Sequence, residues 1–271
     1  MNGMGYQDWA KRAFLNVESL LSSELCGFNN FVAEENVRTA FVKGLILSRP
    51  DAAPRVGTEE DAAWSTNPCA NSHGQQIVAA GRKLQHDVAI YPDPSDPTDA
   101  GFRCEVKWLK GAKAIDVCSD IWKLALSRGT SPDGAAMRTY LLIGGTPKGF
   151  SDTLSTLGKN DLPLAWRAYG GSVPSPRKLR LERIAHHGPG SATHKGLLQL
   201  LSFGDKKKPH CRTPPDCWNA IRATVRAAWT PTLPGVSHWR AVLWELHTHG
   251  IGTKVKPMNW QPWLSSLGLN C

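Results

Sequence analysis

Two carboxylates and an ammonium, Asp87, Glu105 and Lys107, stand where the sequence could place them around one point. His86 to Tyr91 reads as a strand, Pro92 to Gly101 as a turn-rich return, and Phe102 to Trp108 as a second strand. Side chains alternate along a strand, so Glu105 and Lys107 share one face and Val106 takes the other. If the two strands pair, Asp87 reaches the same face. Two carboxylates at one point repel unless a divalent cation lies between them, and hard oxygen ligands favour Mg2+, for which Mn2+ can substitute. A lysine beside such a metal can orient or deprotonate a water aimed at a phosphodiester. The chemistry expected is phosphodiester hydrolysis. The plain alternative is a solvated sheet face with a cross-strand ion pair. Cys104, Val106 and Trp108 weigh against it, because they make the opposite face of the strand apolar. That leaves Glu105 and Lys107 to face a solvent-accessible cleft.

The elements that would position these residues follow from periodicity. Ala10, Phe14, Val17 and Leu21 recur at helical spacing and predict an amphipathic helix over 7–25. A second helix is expected from Phe31 to about Leu47, with Asn30 as its N-cap and Glu34, Glu35 and Arg38 on it. From Ser48 to about Gln75 the composition is that of a long surface loop. Gln76 to Leu84 suits either a strand or a helical turn. After the hairpin, Ile115 to about Ser127 reads as a helix with Val117, Ile121, Leu124 and Leu126 inward. Its Asp120 and Lys123 either face the same site or, the preferred reading, form an ordinary polar helix face. Arg138 to Gly145 is a short apolar run closed by two glycines, expected as a buried strand. Helix, hairpin, helix and strand in this order make a small α/β core. Further on, Phe150 to Leu157 is expected as a helix, Leu179 to Ala185 as a strand, Cys217 to Trp229 as a helix and Trp239 to Leu246 as a strand.

The net charge of +9 is unevenly spread: residues 1–136 hold 14 Lys/Arg against 17 Asp/Glu, and residues 137–271 hold 18 against 6. An acidic metal site in the first half and a polyanion-binding surface in the second would produce this asymmetry. Three basic groups could grip phosphates: Arg177, Lys178, Arg180 and Arg183; Lys206, Lys207, Lys208 and Arg212; and Arg222 with Arg226, one helical turn apart. The residues His186, His187, His194, His210, Cys211 and Cys217 invite a zinc reading. Their spacing lacks the tight pairs of a zinc knuckle, so loop histidines are the preferred account. No G-x-S-x-G elbow and no P-loop lysine are present. Seven scattered cysteines and a polar start predict a reducing, intracellular and cytoplasmic setting. No apolar run approaches the length of a membrane span, so no membrane partner is expected.

Asp87, Glu105-Val106-Lys107, the helix after them and the Tyr140–Gly145 strand resemble the PD-(D/E)xK nuclease superfamily over roughly residues 31–145. The pattern departs at His86, where those proteins carry proline. The resemblance implies a restriction-endonuclease-like core, a mixed central sheet flanked by helices, over residues 1–145. Residues 146–271 would form a basic, nucleic-acid-binding elaboration, either separate or continuous with the core. It further implies that Asp87 and Glu105 bind one or two Mg2+ ions, with the Val106 carbonyl as a further ligand. Lys107 would position the attacking water and stabilise the transition state. A glutamate from the preceding helix would join them, matched here by Glu35 with Glu34 as its rival. A homodimer would cut double-stranded DNA to 5′-phosphate and 3′-hydroxyl ends, as a restriction-type endonuclease. A repair or defence nuclease, an RNA-directed nuclease and a non-catalytic nucleic-acid-binding protein are the alternatives.

Overall fold

The computed structural model describes residues 5–25, 32–61, 85–96, 99, 101–109, 114–130, 137–146, 149, 178–180, 221–229 and 239–248. Helices α1 (Tyr6–Leu25) and α2 (Glu34–Ser48) lead through a 3-10 turn at Pro50–Arg55 into β1 (Val56–Asp61) and β2 (Gln85–Ile90). Then come β3 (Phe102–Leu109), α3 (Ala114–Thr130), β4 (Arg138–Gly145), β5 (Lys178–Arg180), β6 (Ile221–Trp229) and β7 (Arg240–Thr248). The seven strands form one mixed sheet in the order β1-β2-β3-β4-β7-β6-β5. All neighbours are antiparallel except β3 and β4, which run parallel across the α3 connection.

The helices cover both faces. Trp9, Ala10, Ala13, Phe14, Val17 and Leu21 of α1 are fully buried at helical spacing, together with Val37, Phe41 and Leu45 of α2. These side chains pack on the sheet face made by Val88, Ile90, Cys104, Val106, Trp108, Tyr140, Leu142, Ala241 and Leu243. The two helices approach closely at Gly44, where a Cβ would stand 2.5 Å from the Ala13 carbonyl oxygen. The Trp9 indole N–H donates across the same contact to the Leu45 carbonyl at 2.8 Å. On the opposite face α3 lies against β3, β4 and β7, burying Val117, Ile121 and Leu124.

The second helix starts at Glu34, after Ala33, whose backbone N–H donates to the Asn36 side chain at 3.1 Å. Asn30 and Phe31 lie outside the described residues. Inside the expected 48–75 loop sits β1, antiparallel to β2. Its Val56-Gly57-Thr58-Glu59-Glu60-Asp61 sequence has no apolar alternation because it is an edge strand, where charge is favoured. Over Cys217–Trp229 a helix was expected, but Ile221–Trp229 is a strand between β5 and β7. Ile221, Thr224, Val225 and Trp229 are strand formers, and pairing along β7 decides between the two periods. Of the strand expected at Leu179–Ala185, Leu179 and Arg180 lie on the strand Lys178–Arg180, and residues 181–185 lie outside the described residues. Strands from 1–145 and from 146–271 share one sheet, with β4 paired along β7. The strands expected at Arg138–Gly145 and Trp239–Leu246 are present. Phe150–Leu157 lies outside the described residues.

The return between β2 and β3 is clamped to α1. Arg55 places Nη2 2.6 Å from Asp99 and 2.5 Å from the Tyr6 hydroxyl oxygen. Its Nε donates to the Tyr91 carbonyl at 2.9 Å. The Tyr6 hydroxyl is 2.5 Å from Asp99, which also accepts the N–H groups of Gly101 and Asp93 at 2.8 Å each. Gly101 has φ +69°, a left-handed conformation suited to glycine at this turn. Burial pushes the Asp99 carboxyl up, but Tyr6, the two N–H donors and Arg55 outweigh it and hold it below the usual carboxylate range. A carboxyl held down on folding contributes stability that is complete above its unfolded pKa and lost as pH falls through that region. Asp99→Asn should therefore cost about 1–2 kcal/mol at neutral pH. Relative to wild type, that cost should shrink below about pH 4. Denaturant unfolding at the two pH values checks this, and an equal cost at both contradicts it.

Candidate active site

The hairpin opens where the sequence placed the chemistry. Strands β2 and β3 pair at Ile90↔Phe102, Ala89↔Arg103 and Val88↔Cys104, and the ladder stops there. Beyond it the Val106 N–H donates to the Asp87 carboxylate at 2.7 Å, so a side chain takes the place of the next backbone partner. Asp87 thus lies beside the Glu105-Val106-Lys107 segment and keeps 23% of its side chain exposed.

Glu105 is the floor of the site. Its expected solvent-accessible setting is overturned: α3 covers that face, and the side chain is 1% exposed. One carboxylate oxygen lies 2.5 Å from His86 Nδ1 and the other 2.5 Å from Lys123 Nζ. His86 Nε2 continues the chain to the Ser127 hydroxyl at 2.7 Å. Burial pushes the Glu105 carboxyl well up; Lys123 opposes this, while Asp120 and Asp87 add to it. Burial also drives His86 well below its ordinary value, helped by Lys123 and Arg103.

Lys107 lies nearer the opening, 3.2 Å from Asp120 Oδ2 and 3.6 Å from Glu34 Oε1. Burial presses its ammonium towards neutrality, but Asp120, Glu34 and Asp87 outweigh this and raise its pKa. It is therefore a cation at neutral pH rather than a free base. Between the two candidate glutamates, the fold brings Glu34 to the site: it also accepts the Trp108 N–H at 3.0 Å. Glu35 instead pairs with Arg38, which spans the rim to Glu59 at 3.3 Å and Asp87 at 3.7 Å.

Asp120 and Lys123 belong to this site and not to an ordinary polar helix face. Lys123 Nζ donates to the Gln85 carbonyl at 2.8 Å and lies 3.7 Å from Asp120 Oδ1. Asp120, Lys123 and Ser127 are spaced i, i+3 and i+7, a single helical stripe flanking buried Ile121 and Leu124. That stripe was the available signal, and its three residues reach Lys107, Glu105 and His86 respectively.

The donors suit a hard cation in kind. After the larger effect of burial, Asp120 and Asp87 push the buried Glu105 carboxyl up and Asp87 pushes the partly buried Asp120 carboxyl up. Asp120 Oδ2 is buried and meets Lys107 as an ion pair rather than a hydrogen bond. Meanwhile the Lys123 ammonium stands among the oxygens of Glu105, Asp120 and the Gln85 carbonyl. Among the described residues no three His, Cys, Asp or Glu side chains are gathered closely enough to hold a metal ion.

Of the basic groups, Arg226 is bonded to buried Glu245 at 2.5 Å and is not free for phosphate. Lys178, Arg180 and Arg222 lie on β5 and β6. Arg177, Arg183, Lys206, Lys207, Lys208, Arg212 and the His186–Cys217 region lie outside the described residues. Among the described residues no helix is long and apolar enough to cross a membrane. No protein-family model, no curated protein and no solved structure matches the chain.

Proposed function

We propose that this chain is a Mg2+-dependent endonuclease of the PD-(D/E)xK type, hydrolysing phosphodiester bonds of double-stranded DNA to 5′-phosphate and 3′-hydroxyl ends. The observation that carries the reading is the opened hairpin. Asp87 leaves the ladder to stand beside Glu105 and Lys107, which is where a metal-dependent hydrolase needs two carboxylates and a cation. The order of α2, the antiparallel β2–β3 pair, α3 and parallel β4 also fits the core that this superfamily would supply.

Asp87 and Glu105 would hold the cation. When bound, the cation supplies Lewis-acid stabilisation of the phosphate and a more acidic water. Lys107, fixed as an ammonium by Asp120 and Glu34, offers N–H donors and positive charge to a phosphate oxygen. Glu34 ties Lys107 to the Trp108 backbone and so keeps it at the opening. Arg38, held among Glu35, Glu59 and Asp87, can turn its planar fork towards a backbone phosphate. The excess of Lys/Arg after residue 137 supports a polyanionic substrate, and its grip should weaken steeply with salt.

Supercoiled plasmid tests the reading. Nicked and linear products with Mg2+, none with a chelator, and binding without turnover in Ca2+ are expected. Binding with no metal-dependent cutting would favour a nucleic-acid-binding protein without catalysis. The same assay on RNA distinguishes an RNA-directed enzyme.

A further inference from the structure

Glu59 on β1 has φ +54°, the one positive value at a non-glycine position among the described residues. Left-handed backbone is unfavourable for a residue with a Cβ and persists only where its surroundings hold it, often at a functional site. β1 and β2 pair at Thr58↔Val88 and again at Glu60↔His86. Between these two pairs Glu59 falls opposite Asp87, and the two are not paired. The strained residue therefore stands across from the first acid of the site, at the point where Asp87 turns to the Val106 N–H.

The Glu59 carboxylate meets Arg38. Arg38 Nη1 lies 3.3 Å from Glu59 Oε1 and 3.7 Å from Asp87 Oδ1, and Nη2 bonds to Glu35. Lys107, the other cation at the opening, is shared between Glu34 and Asp120. Five carboxylates, Glu34, Glu35, Glu59, Asp87 and Asp120, thus surround Arg38 and Lys107, while Lys123 and Glu105 offset one another deeper in. Such a rim repels a phosphodiester unless one of its cations leaves a carboxylate. Glu59 is the carboxylate most easily left. Asp87 and Glu34 are fixed by the Val106 and Trp108 N–H groups, and Glu35 sits one turn from Arg38 on the same helix. Glu59 is 62% exposed, reaches Arg38 from another element and has no other partner among the described residues. An ion pair this exposed is weak, and a phosphate oxygen suits the guanidinium fork at least as well.

We infer that Glu59 is a clasp on Arg38, holding the guanidinium at the rim in the free protein and giving it up to a phosphate of the nucleic acid that lies against the opening. Glu59 is on this account a positioning residue, and it competes with the ligand for Arg38. The strained backbone and the exposed pair both favour release. The inference rests on the phosphodiester reading above and needs no metal.

Fluorescence anisotropy of a labelled DNA duplex, with a chelator present, tests it on wild type, Glu59→Gln, Arg38→Met and the double variant. Glutamine removes the charge that holds Arg38, so Glu59→Gln should bind about fivefold tighter than wild type. In the Arg38→Met background the same substitution should bring no gain, because no guanidinium is left to release. An equal gain in both backgrounds would reduce Glu59 to general repulsion and overturn the inference. Weaker binding by Glu59→Gln would show that Glu59 aims Arg38 at the ligand, and would overturn it as well. Glu59→Gly removes both charge and strain, so it should bind as tightly as Glu59→Gln and melt at a higher temperature. A lower melting temperature than that of Glu59→Gln would remove the strained clasp. No duplex binding by any of the four proteins, over a range of salt, overturns the phosphodiester reading itself.

Discussion

Asp87→Asn is expected to lower Mg2+-dependent plasmid cleavage by about two to three orders of magnitude while leaving the fold and DNA binding in Ca2+ intact. The magnitude follows from removing one of the two carboxylates that would fix the cation. The selectivity follows from the local structure. Asparagine still offers an oxygen to the Val106 N–H, which Asp87 accepts at 2.7 Å. Asp87 is also partly exposed, and its ion pair with Arg38 is long at 3.7 Å, so the lost charge costs little stability. Glu105→Gln is a poorer test of catalysis. It would remove the nearer of the two carboxylates beside the buried Lys123 ammonium, leaving only Asp120 at 3.7 Å, and the charge beside His86, so folding and activity would fall together. Unchanged cleavage by Asp87→Asn would remove the first acid from the site.

The largest stability effect is expected two strands across the sheet from β3, at Glu245 on β7. Its side chain is fully buried, and one carboxylate oxygen lies 2.5 Å from Arg138 while the other lies 2.5 Å from Arg226. Arg226 is itself mostly buried beside the bulge between Val225 and Ala227, so it cannot simply turn to water. Arg138 is 41% exposed and can. Glu245→Ala should therefore destabilise by about 3–5 kcal/mol, mostly through the stranded Arg226 charge. That corresponds to a melting temperature lower by about 10 °C for a chain of this size. Adding Arg226→Ala to Glu245→Ala should recover part of the loss, because the stranded charge goes with it. A shift of about 1 °C or less in the single variant would show that the pair is not desolvated.

What could be read from the sequence divides along the same lines as the physics. The α1 stripe and the β2–β3 strands were legible because each buries a face whose period appears in the chain, and β4 because an unbroken apolar run closed by glycines marks a strand buried on both faces. The shared face of Glu105 and Lys107 follows from alternation alone. The depth of Glu105 does not, because it depends on α3 lying over that face. Alternation within β3 carries no information about what covers it. The choice between Glu34 and Glu35 turned on helix phase, which is fixed by the buried stripe of Val37, Phe41 and Leu45 and by what that stripe packs on. The strand at Ile221–Trp229 was misread as a helix because Arg222 and Arg226 share a face under either period. Here Arg226 meets the buried Glu245, a partner 19 residues away that no local pattern announces. Asp120 and Lys123 were readable in principle from the stripe they form with Ser127. Their weight came only from the long-range contacts to Lys107 and Glu105.

A crystal of the protein soaked in Mn2+ and measured at the manganese absorption edge tests the central claim most directly. The account predicts an anomalous peak touching both the Asp87 and Glu105 carboxylates, with Lys107 beside it. A fully occupied peak elsewhere, or none at saturating Mn2+ with Glu105 still clasped by His86 and Lys123, would contradict it.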